Sequence, residues 1–363
     1  MTTPQHDSHP RTFSLLLALL AGKESEGSGA LCRLTNRDWQ EFVDLAMNRH
    51  KVLPLIAKAL PASVLPKGIA ETLDAMTQQN AFAVLNQVAC TRSILDAMNG
   101  AGLEPTVLKG WPLSEDLFGS NSLRQARDID LILPSSDVRK AAGILQDLGY
   151  DASRDHPELM QALGTDALIA ERNNLSFTHG STGLLVELHW RCHQFSGWPE
   201  LFGQPENTRI QKTSAGPVRV PTEQANLLYL SVHGSLHRWG RLKWLCDIAA
   251  LAQRRGVAQL EHDLTFARKL GAERPLSLAL TLAGRLLQAP CPADLLERET
   301  WLERKCIEEI LRPEPVPSSL AHRAKFYAMT LALAQGTQQR LGILRYRLWG
   351  KNRLGLQNLW KSA

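Results

Sequence analysis

The sequence lacks any pattern of cysteines that would form a disulfide framework or a zinc site. Its six cysteines are scattered and include no CxxC pair, which is typical of reduced thiols in a cytoplasmic protein. Low-complexity tracts are also missing, and 44% of the 363 residues are hydrophobic. A globally disordered chain is therefore excluded, and we expect folded domains with substantial apolar cores.

Apolar runs of membrane-spanning length are missing as well. The strongest candidate, FSLLLALLAG at residues 13–22, is too short to cross a bilayer. Only Arg11 precedes it as a fixed positive charge, and Lys23 and Glu24 follow at once, unlike the charge pattern of a signal peptide. We interpret this run as a buried first helix that follows a disordered lead at residues 1–11.

Acidic residues are absent from residues 315–363, which carry eight lysines and arginines. A basic stretch of this kind suits an acidic partner, a nucleic acid or a membrane surface. Because apolar residues are interleaved with the charges, we interpret residues 313–363 as a basic helical tail that packs on its own protein. Peripheral membrane contact is the less favoured alternative. Nucleic acid is not expected as a partner, since this charge lies apart from the motifs described below.

The pattern along the chain predicts an α+β protein with a small mixed β-sheet, flanked by N- and C-terminal helical regions. Apolar residues spaced three and four apart predict helices over residues 12–100 and again over 222–312. Between them lie a core at residues 101–200, built from short strands and helices, and a loop with a short strand pair at 201–221. Within the core the sequence predicts a strand at 105–108, a helix at 111–118, a strand at 128–133, helices at 136–148 and 151–172, and a hairpin that turns at 180–183.

Two aspartates lie one residue apart in the otherwise apolar segment DIDLIL. In a strand, Asp128 and Asp130 point to one face, and Ile129 and Leu131 point to the other. Carboxylates on one face repel each other unless a cation lies between them, and Mg²⁺ binds carboxylate oxygens. If the strand LLVELHW is a neighbour, Glu187 adds a third carboxylate. Three such acids can hold the two Mg²⁺ ions that assist phosphoryl displacement.

The segment VLKG has the features of a phosphate-binding turn. Gly110 lets the backbone approach a phosphate, and the free amides at the start of the following helix favour an anion. Lys109 adds a point charge, and the planar guanidinium of Arg124 can reach the same phosphates. The alternatives are that Lys109 is simply exposed and that Arg124 pairs with the acids. A solvated sheet edge is the alternative for Asp128 and Asp130.

Four further residues are candidates for acceptor contacts or for structural roles: His189, His233, His237 and Lys243. His233 and His237 are four residues apart on a predicted helix, so they share a face and a histidine metal site is conceivable. We favour hydrogen bonds of His189, His233 and His237 across the interface between the helical domain and the sheet, because Mg²⁺ does not need imidazole ligands. Lys243 and Asp247 are also four apart, which predicts a salt bridge along the helix.

The sequence resembles the DNA polymerase β-type nucleotidyltransferase superfamily in segments that occur in the same order: LKG, then LR followed by DIDLIL, and then VELHW. The resemblance is closer to the bacterial uncharacterised nucleotidyltransferase family. It continues into HGSLHRWGRLKWLCDIAAL and covers roughly residues 12–260. It implies that Asp128 and Asp130 are the metal-binding pair, that Glu187 is the third carboxylate, and that Gly110 is the glycine of the phosphate loop.

The sequence departs from the superfamily pattern at three positions. Trp111 stands where the superfamily has a serine that meets the terminal phosphates, Arg127 replaces a small residue, and Glu187 replaces the aspartate of DLHW. None of these departures removes a metal ligand. The resemblance still implies an active enzyme.

The expected reaction is the Mg²⁺-dependent transfer of a nucleoside monophosphate from a nucleoside triphosphate to a hydroxyl of a small molecule, peptide or protein. ATP is the favoured nucleoside triphosphate. Pyrophosphate leaves. Lys109 and Gly110 would hold the leaving phosphates, Arg124 would offset their charge, and Glu187 would sit nearest the acceptor. The alternatives are a phosphotransferase that moves the γ-phosphate and a non-catalytic nucleotide-binding module.

Overall fold

A computed structural model describes residues 9–23, 30–60, 65–152, 169, 172–193, 200–202, 205–313 and 320–349. At its centre is a five-stranded sheet with the spatial order β1-β2-β5-β4-β3. The strands are β1 (Thr106–Val107), β2 (Asp128–Ile132), β3 (Tyr150–Ala152), β4 (Asn174–His179) and β5 (Leu185–His189). β2 and β5 are parallel, and the other neighbours are antiparallel. The predicted α+β class with a small mixed sheet is confirmed.

The helices before the sheet are α1 (His9–Leu20), α2 (Asn36–Asp44, continued by a π-helical turn at Leu45–Arg49), α3 (Leu53–Ala59) and α4 (Lys67–Gly100). The apolar run at residues 13–22 is a buried helix, as predicted, with Phe13 and Leu16 in the core. α1 begins at His9, inside the stretch that the sequence predicted to be a disordered lead, and residues 1–8 lie outside the described part. Among the described residues, no helix has the length and apolar character needed to span a membrane.

The predicted elements of the core are found close to their expected positions. α5 (Gly110–Phe118) follows β1, α6 (Val138–Asp147) follows β2, and the hairpin of β4 and β5 turns at residues 180–184. The helix predicted at 151–172 is wrong at its start, because Asp151 and Ala152 pair with β4 as part of β3. The rest of that stretch, apart from residues 169 and 172, lies outside the described residues.

A separate hairpin and a set of helices follow the sheet. The hairpin confirms the strand pair predicted within 201–221 and consists of β6 (Thr208–Thr213) and β7 (Gly216–Pro221). The helices are α7 (Glu223–Leu236), α8 (Leu242–Lys269), α9 (Glu273–Leu287), α10 (Ala293–Leu296), α11 (Trp301–Ile310), α12 (Leu320–Leu333) and α13 (Thr337–Trp349). α12 and α13 lie in the stretch predicted as a basic helical tail, of which residues 350–363 are outside the described part.

Two apolar cores hold these elements together. The larger one joins α1–α3 to the helices that follow β7. The second lies under the sheet, where the apolar faces of β2 and β5 meet the second half of α4; its members include Ile129, Leu131, Val186, Leu188, Ile94 and Met98. Because this core takes up one face of β2 and β5, the alternate residues of both strands lie on the opposite face.

Candidate functional site

The parallel pairing of β2 with β5 brings acidic residues from two distant segments together. In the register of the two strands, Asp130 lies directly opposite Glu187, and Asp128 lies opposite Leu185. Ile129 and Leu131 are buried in the core under the sheet. Asp128, Asp130 and Glu187 therefore share the other face, as the alternation of the sequence predicted.

His189 lies between two of these carboxylates. Its Nε2 is 3.3 Å from Oδ1 of Asp130 and 3.2 Å from Oε2 of Glu187. One ligand atom from each of the three residues lies within 4.8 Å of the others, close enough to surround a single metal ion. Asp128 is on the same face but outside this group. The sequence favoured hydrogen bonds from His189 to the helical domain, whereas these contacts are to acids on its own face.

The Glu187 carboxylate has a second partner, from the neighbouring strand β4. Nδ2 of Asn174 donates a hydrogen bond to Oε2 of Glu187, at 3.1 Å. Glu187 is partly exposed, whereas Asp130 and His189 are buried. Glu187 is thus the acid of the cluster that is fixed in orientation and still open to a bound molecule.

Lys109 provides a cation next to the same oxygen of Asp130 that His189 contacts. Its Nζ lies 3.1 Å from Oδ1 of Asp130, and both side chains are buried. The same Nζ is 5.9 Å from the ring centroid of Tyr229, on α7. Burial opposes the charge of Lys109, but the Asp130 carboxylate outweighs burial and raises the pKa of Lys109 above its usual value. Lys109 is therefore a permanent ammonium group next to the acids.

The two aspartates of β2 differ in their electrostatics. Burial favours the neutral form of Asp130, but Lys109 and His189 outweigh it and hold the pKa of Asp130 below its usual range. The pKa of Asp128 is raised, first by burial and then by the charge of Asp130. One carboxylate of the pair is therefore firmly ionised, and the other takes up a proton more readily.

The turn before α5 passes close to the start of β2. Gly110 has a φ of +75°, and a Cβ at this position would lie 4.0 Å from the main-chain oxygen of Asp128. Trp111, which replaces the superfamily serine, is buried, and its Nε1 donates to Oγ1 of Thr91 at 3.1 Å. The Trp111 side chain belongs to the core under the sheet, so it brings no hydrogen-bonding group to the acidic face.

Arg124 is oriented by α8. Its Nε donates to both carboxylate oxygens of Asp247, at 2.9 and 3.0 Å, and both side chains are buried. Lys243, for which the sequence predicted a salt bridge with Asp247, instead donates from Nζ to the main-chain oxygen of Gln125 at 3.2 Å. A buried aspartate of α8 thus fixes the arginine that the sequence placed near the phosphates.

His233 and His237 pack as aromatic rings. Their ring centroids are 4.6 Å apart, and His237 stacks on Trp244 at 5.0 Å with an interplanar angle of 29°. Among the described residues, no group of metal-binding side chains includes either histidine. Their contacts with Trp244 are those of a packed aromatic cluster between α7 and α8.

A cavity of about 360 Å³ opens beside Asp128. Its lining comes from four separate parts of the chain: Met47, Lys51, Gln79, Asn80, Ala83, Gln125, Ala126, Arg127, Asp128, Arg241 and Lys243. No pattern in the sequence pointed to Lys51 or Arg241, because nothing near them in the chain distinguishes them from other surface cations. The same is true of Tyr229 and Asn174, which reach the acidic face only through the tertiary structure.

Residues 35–288 match the family described as uncharacterised nucleotidyltransferase, and this match covers more than half of the chain. The chain belongs to this family. The matched region includes both strands of the acidic face, the turn at Gly110 and the helices α7 and α8. Transfer of a nucleotidyl group is therefore the general activity of this nucleotidyltransferase. The family that the motifs of the sequence indicated is confirmed.

Other comparisons add little to this assignment. The solution structure of the antibiotic-resistance factor ANT(2'')-Ia is similar over 51% of this nucleotidyltransferase and 92% of that protein, at 17% sequence identity and a TM-score of 0.36. A similarity this weak carries no argument about the present chain. No protein with a curated description matches it.

Proposed function

We propose that this nucleotidyltransferase transfers a nucleoside monophosphate from a nucleoside triphosphate to a hydroxyl of an acceptor and releases pyrophosphate. One observation carries the proposal: Asp130 and Glu187 lie opposite each other on parallel strands, with His189 between them and Lys109 beside them. ATP is the first nucleotide to test. The acceptor is a small molecule, a peptide or a protein.

The acidic face fits a divalent cation. Two carboxylates and an imidazole converge within 4.8 Å, and Nε2 of His189 faces both acids. Carboxylate oxygens suit Mg²⁺, and a set that includes imidazole also suits Mn²⁺. Asp128, on the same face, would complete the set for the two Mg²⁺ ions of the proposal. When bound, such ions polarise the phosphoryl oxygens and lower the pKa of the acceptor hydroxyl.

The acids have different roles in the proposal. Asp130, the firmly ionised carboxylate, would bind both cations, with Glu187 and Asp128 as the further carboxylate ligands. Glu187 is partly exposed and held by Asn174, so it can accept the proton of an acceptor hydroxyl that lies within hydrogen-bond distance. Before a cation binds, Nε2 of His189, which lies within reach of both Asp130 and Glu187, would hold the two carboxylates in place.

Two cations would stabilise negative charge on the phosphates in the proposal: Lys109, which is next to the acids, and Arg124, which is already paired with the buried Asp247. Lys109 remains protonated and lies where charge develops on the transferred phosphate. Arg124, fixed by Asp247, is the second such cation. The turn at Gly110 lets the backbone come close to the same phosphate. These three residues form the nucleotide-binding part of the proposal.

Labelled nucleotides test the proposal directly. The purified protein is incubated with Mg²⁺, a cell extract as the source of acceptors, and ATP labelled at either the α- or the γ-phosphate; GTP, CTP and UTP follow. We expect label from the α-position in a product whose mass has increased by a nucleoside monophosphate, together with pyrophosphate. Transfer of γ-label with release of a nucleoside diphosphate would instead identify a phosphotransferase.

Two aspartate variants provide the control for this assay. Asp130→Asn removes the ionised carboxylate, and we expect transfer to fall by about a hundredfold or more. Asp147→Asn makes the same chemical change at an exposed position of α6, and we expect transfer at the wild-type rate. Equal activity of the Asp130 variant and wild type would exclude the acidic face as the reaction centre.

A further inference from the structure

The cavity beside Asp128 has an unusual charge. Four cations line it, Lys51, Arg127, Arg241 and Lys243, and Asp128 is the single carboxylate among the lining residues. The cations come from three separate parts of the chain, so the local sequence does not explain why they meet. A concave site with an excess of one charge concentrates ligands of the opposite charge.

The protein gives these side chains no carboxylate partner among the described residues, although burial lowers the pKa of Lys243 to about 7 and leaves it only partly charged at neutral pH. Within the described ranges, none of the four forms an ion pair with a carboxylate, whereas nearby Arg124 is paired with Asp247. Lys243 donates only to the main-chain oxygen of Gln125. Burial lowers the pKa of Lys51, and Arg127 and Arg241 lower it further, which shows that the cations are close enough to repel each other. A bound polyanion would relieve this repulsion.

The cavity adjoins the acidic face through Asp128, which belongs to both. Glu187, the acid nearest the acceptor in the proposed reaction, lies opposite Asp130 and not opposite Asp128. If the α-phosphate is attacked beside the acids, the β- and γ-phosphates can therefore extend into the cavity, on the side away from Glu187. The turn at Gly110 is less suited to bind the β- and γ-phosphates, since Trp111 replaces the serine and Lys109 is already paired with Asp130.

We propose that this cavity binds the triphosphate of the nucleotide, with Lys51, Arg127, Arg241 and Lys243 as partners of the β- and γ-phosphates. The inference rests on the proposed nucleotidyl transfer. It moves the leaving phosphates from the turn at Gly110, where the family resemblance implied them, into the cavity. Lys109 and Arg124 keep their place beside the phosphate that is transferred.

Binding measurements on the full-length protein test the inference. The probes are inorganic triphosphate, an ATP analogue with a methylene group between the α- and β-phosphates, and AMP, each with Mg²⁺ and measured by calorimetry. Arg241→Met and Lys51→Met each remove one cation from the cavity. We expect each variant to bind triphosphate and the analogue at least about tenfold more weakly, because a charge-assisted hydrogen bond is lost. AMP binding should change less, since AMP lacks the β- and γ-phosphates.

Two control variants make the same substitutions outside the cavity. Arg139→Met and Lys212→Met remove exposed cations of α6 and β6, and we expect both to bind all three probes like wild type. Thermal melting of each variant shows whether it is folded. As a measurement that needs no variant, the affinity of wild type for triphosphate should fall steeply with added salt, since several cations contribute.

The outcomes separate the inference from the function on which it rests. If wild type binds the analogue and the cavity variants bind it equally well, the inference is wrong and nucleotidyl transfer stands. If wild type binds neither triphosphate nor the analogue, both are wrong. If the cavity variants keep their affinity for triphosphate but need more acceptor for turnover, the cavity holds the acceptor, and the inference is again wrong.

Discussion

Nζ of Lys109 lies 3.1 Å from Oδ1 of Asp130, and both side chains are buried. The carboxylate that the sequence marks as a metal ligand thus already has a cationic partner. An ammonium group and a divalent ion compete for the same oxygen, because each stabilises the charge of the carboxylate. Lys109 therefore both balances the charge of the acids and limits the affinity for a metal.

Replacing Lys109 tests this competition. We expect Lys109→Met to lower the free energy of unfolding by about 3 kcal/mol without metal, since a buried carboxylate loses its partner. We also expect it to bind Mn²⁺ about tenfold more tightly than wild type, because the competing ammonium is gone. Chemical denaturation and Mn²⁺ titration give the two quantities. Lys212→Met, at an exposed position, is the control, and weaker Mn²⁺ binding by the Lys109 variant would contradict the competition.

The carboxylate at position 187 can be tested with two variants of different chemistry. Glu187→Asp keeps the charge and matches the aspartate that relatives have in DLHW, whereas Glu187→Gln removes it. We expect the Asp variant to keep kcat within about tenfold of wild type and the Gln variant to lose about a hundredfold or more. Steady-state kinetics of the labelled-nucleotide assay measure this. A Gln variant that keeps the wild-type kcat would show that the carboxylate at this position is unimportant.

Lys243 makes the stability of the protein depend on pH in a definite direction. Burial, and then Arg124, lower the pKa of Lys243 to about 7, whereas in the unfolded chain it is about 10.4. Between these values the unfolded chain binds more protons than the folded one, so stability rises as pH increases from about 7 towards 10. The slope is at most about 1.4 kcal/mol per pH unit.

Denaturant unfolding of wild type and Lys243→Met across this range isolates the contribution of Lys243. We expect the free energy of unfolding of Lys243→Met to rise less than that of wild type between about pH 7 and 10. Lys212→Met should show the wild-type pH dependence. Parallel curves for wild type and Lys243→Met would contradict the depressed pKa.

Trp111 provides a test of why the superfamily serine is absent. We expect Trp111→Ser to lower the free energy of unfolding by about 4 kcal/mol, because a buried indole and its hydrogen bond to Thr91 are lost. Trp111→Phe keeps most of the packing and should cost about 1 kcal/mol. Since the side chain points into the core, the serine should bring no gain in nucleotide affinity. Tighter binding of the ATP analogue by Trp111→Ser would show that position 111 faces the phosphates.

Much of the acidic face could be predicted from the alternation of polar and apolar residues within single strands. The pattern DIDLIL separates Asp128 and Asp130 from the buried Ile129 and Leu131, and the fold keeps that separation. The hairpin of β4 and β5 was predictable from its turn residues. What the local pattern did not contain is the register, which sets Glu187 against Asp130 and is decided by packing of the whole sheet.

The parts that the sequence did not predict depend on contacts between distant segments. His189 bonds to Asp130 because β5 lies beside β2, and the strand pattern alone is equally compatible with a histidine that faces the helices. Lys51 and Arg241 are 190 positions apart in the chain and meet only at the cavity. The helix predicted at 151–172 failed at Asp151 because edge pairing with β4 outweighed local propensity.

Helix α4 is one uninterrupted element of 34 residues, roughly 50 Å long, and it belongs to both cores. Leu73 packs with the helical region, Ile94 packs under the sheet, and Asn80 between them borders the cavity. If either of the two cores unfolded, the other core would lose part of the helix that encloses it. We expect heat to melt them in one cooperative transition, and we expect a ligand in the cavity to raise its midpoint as a whole.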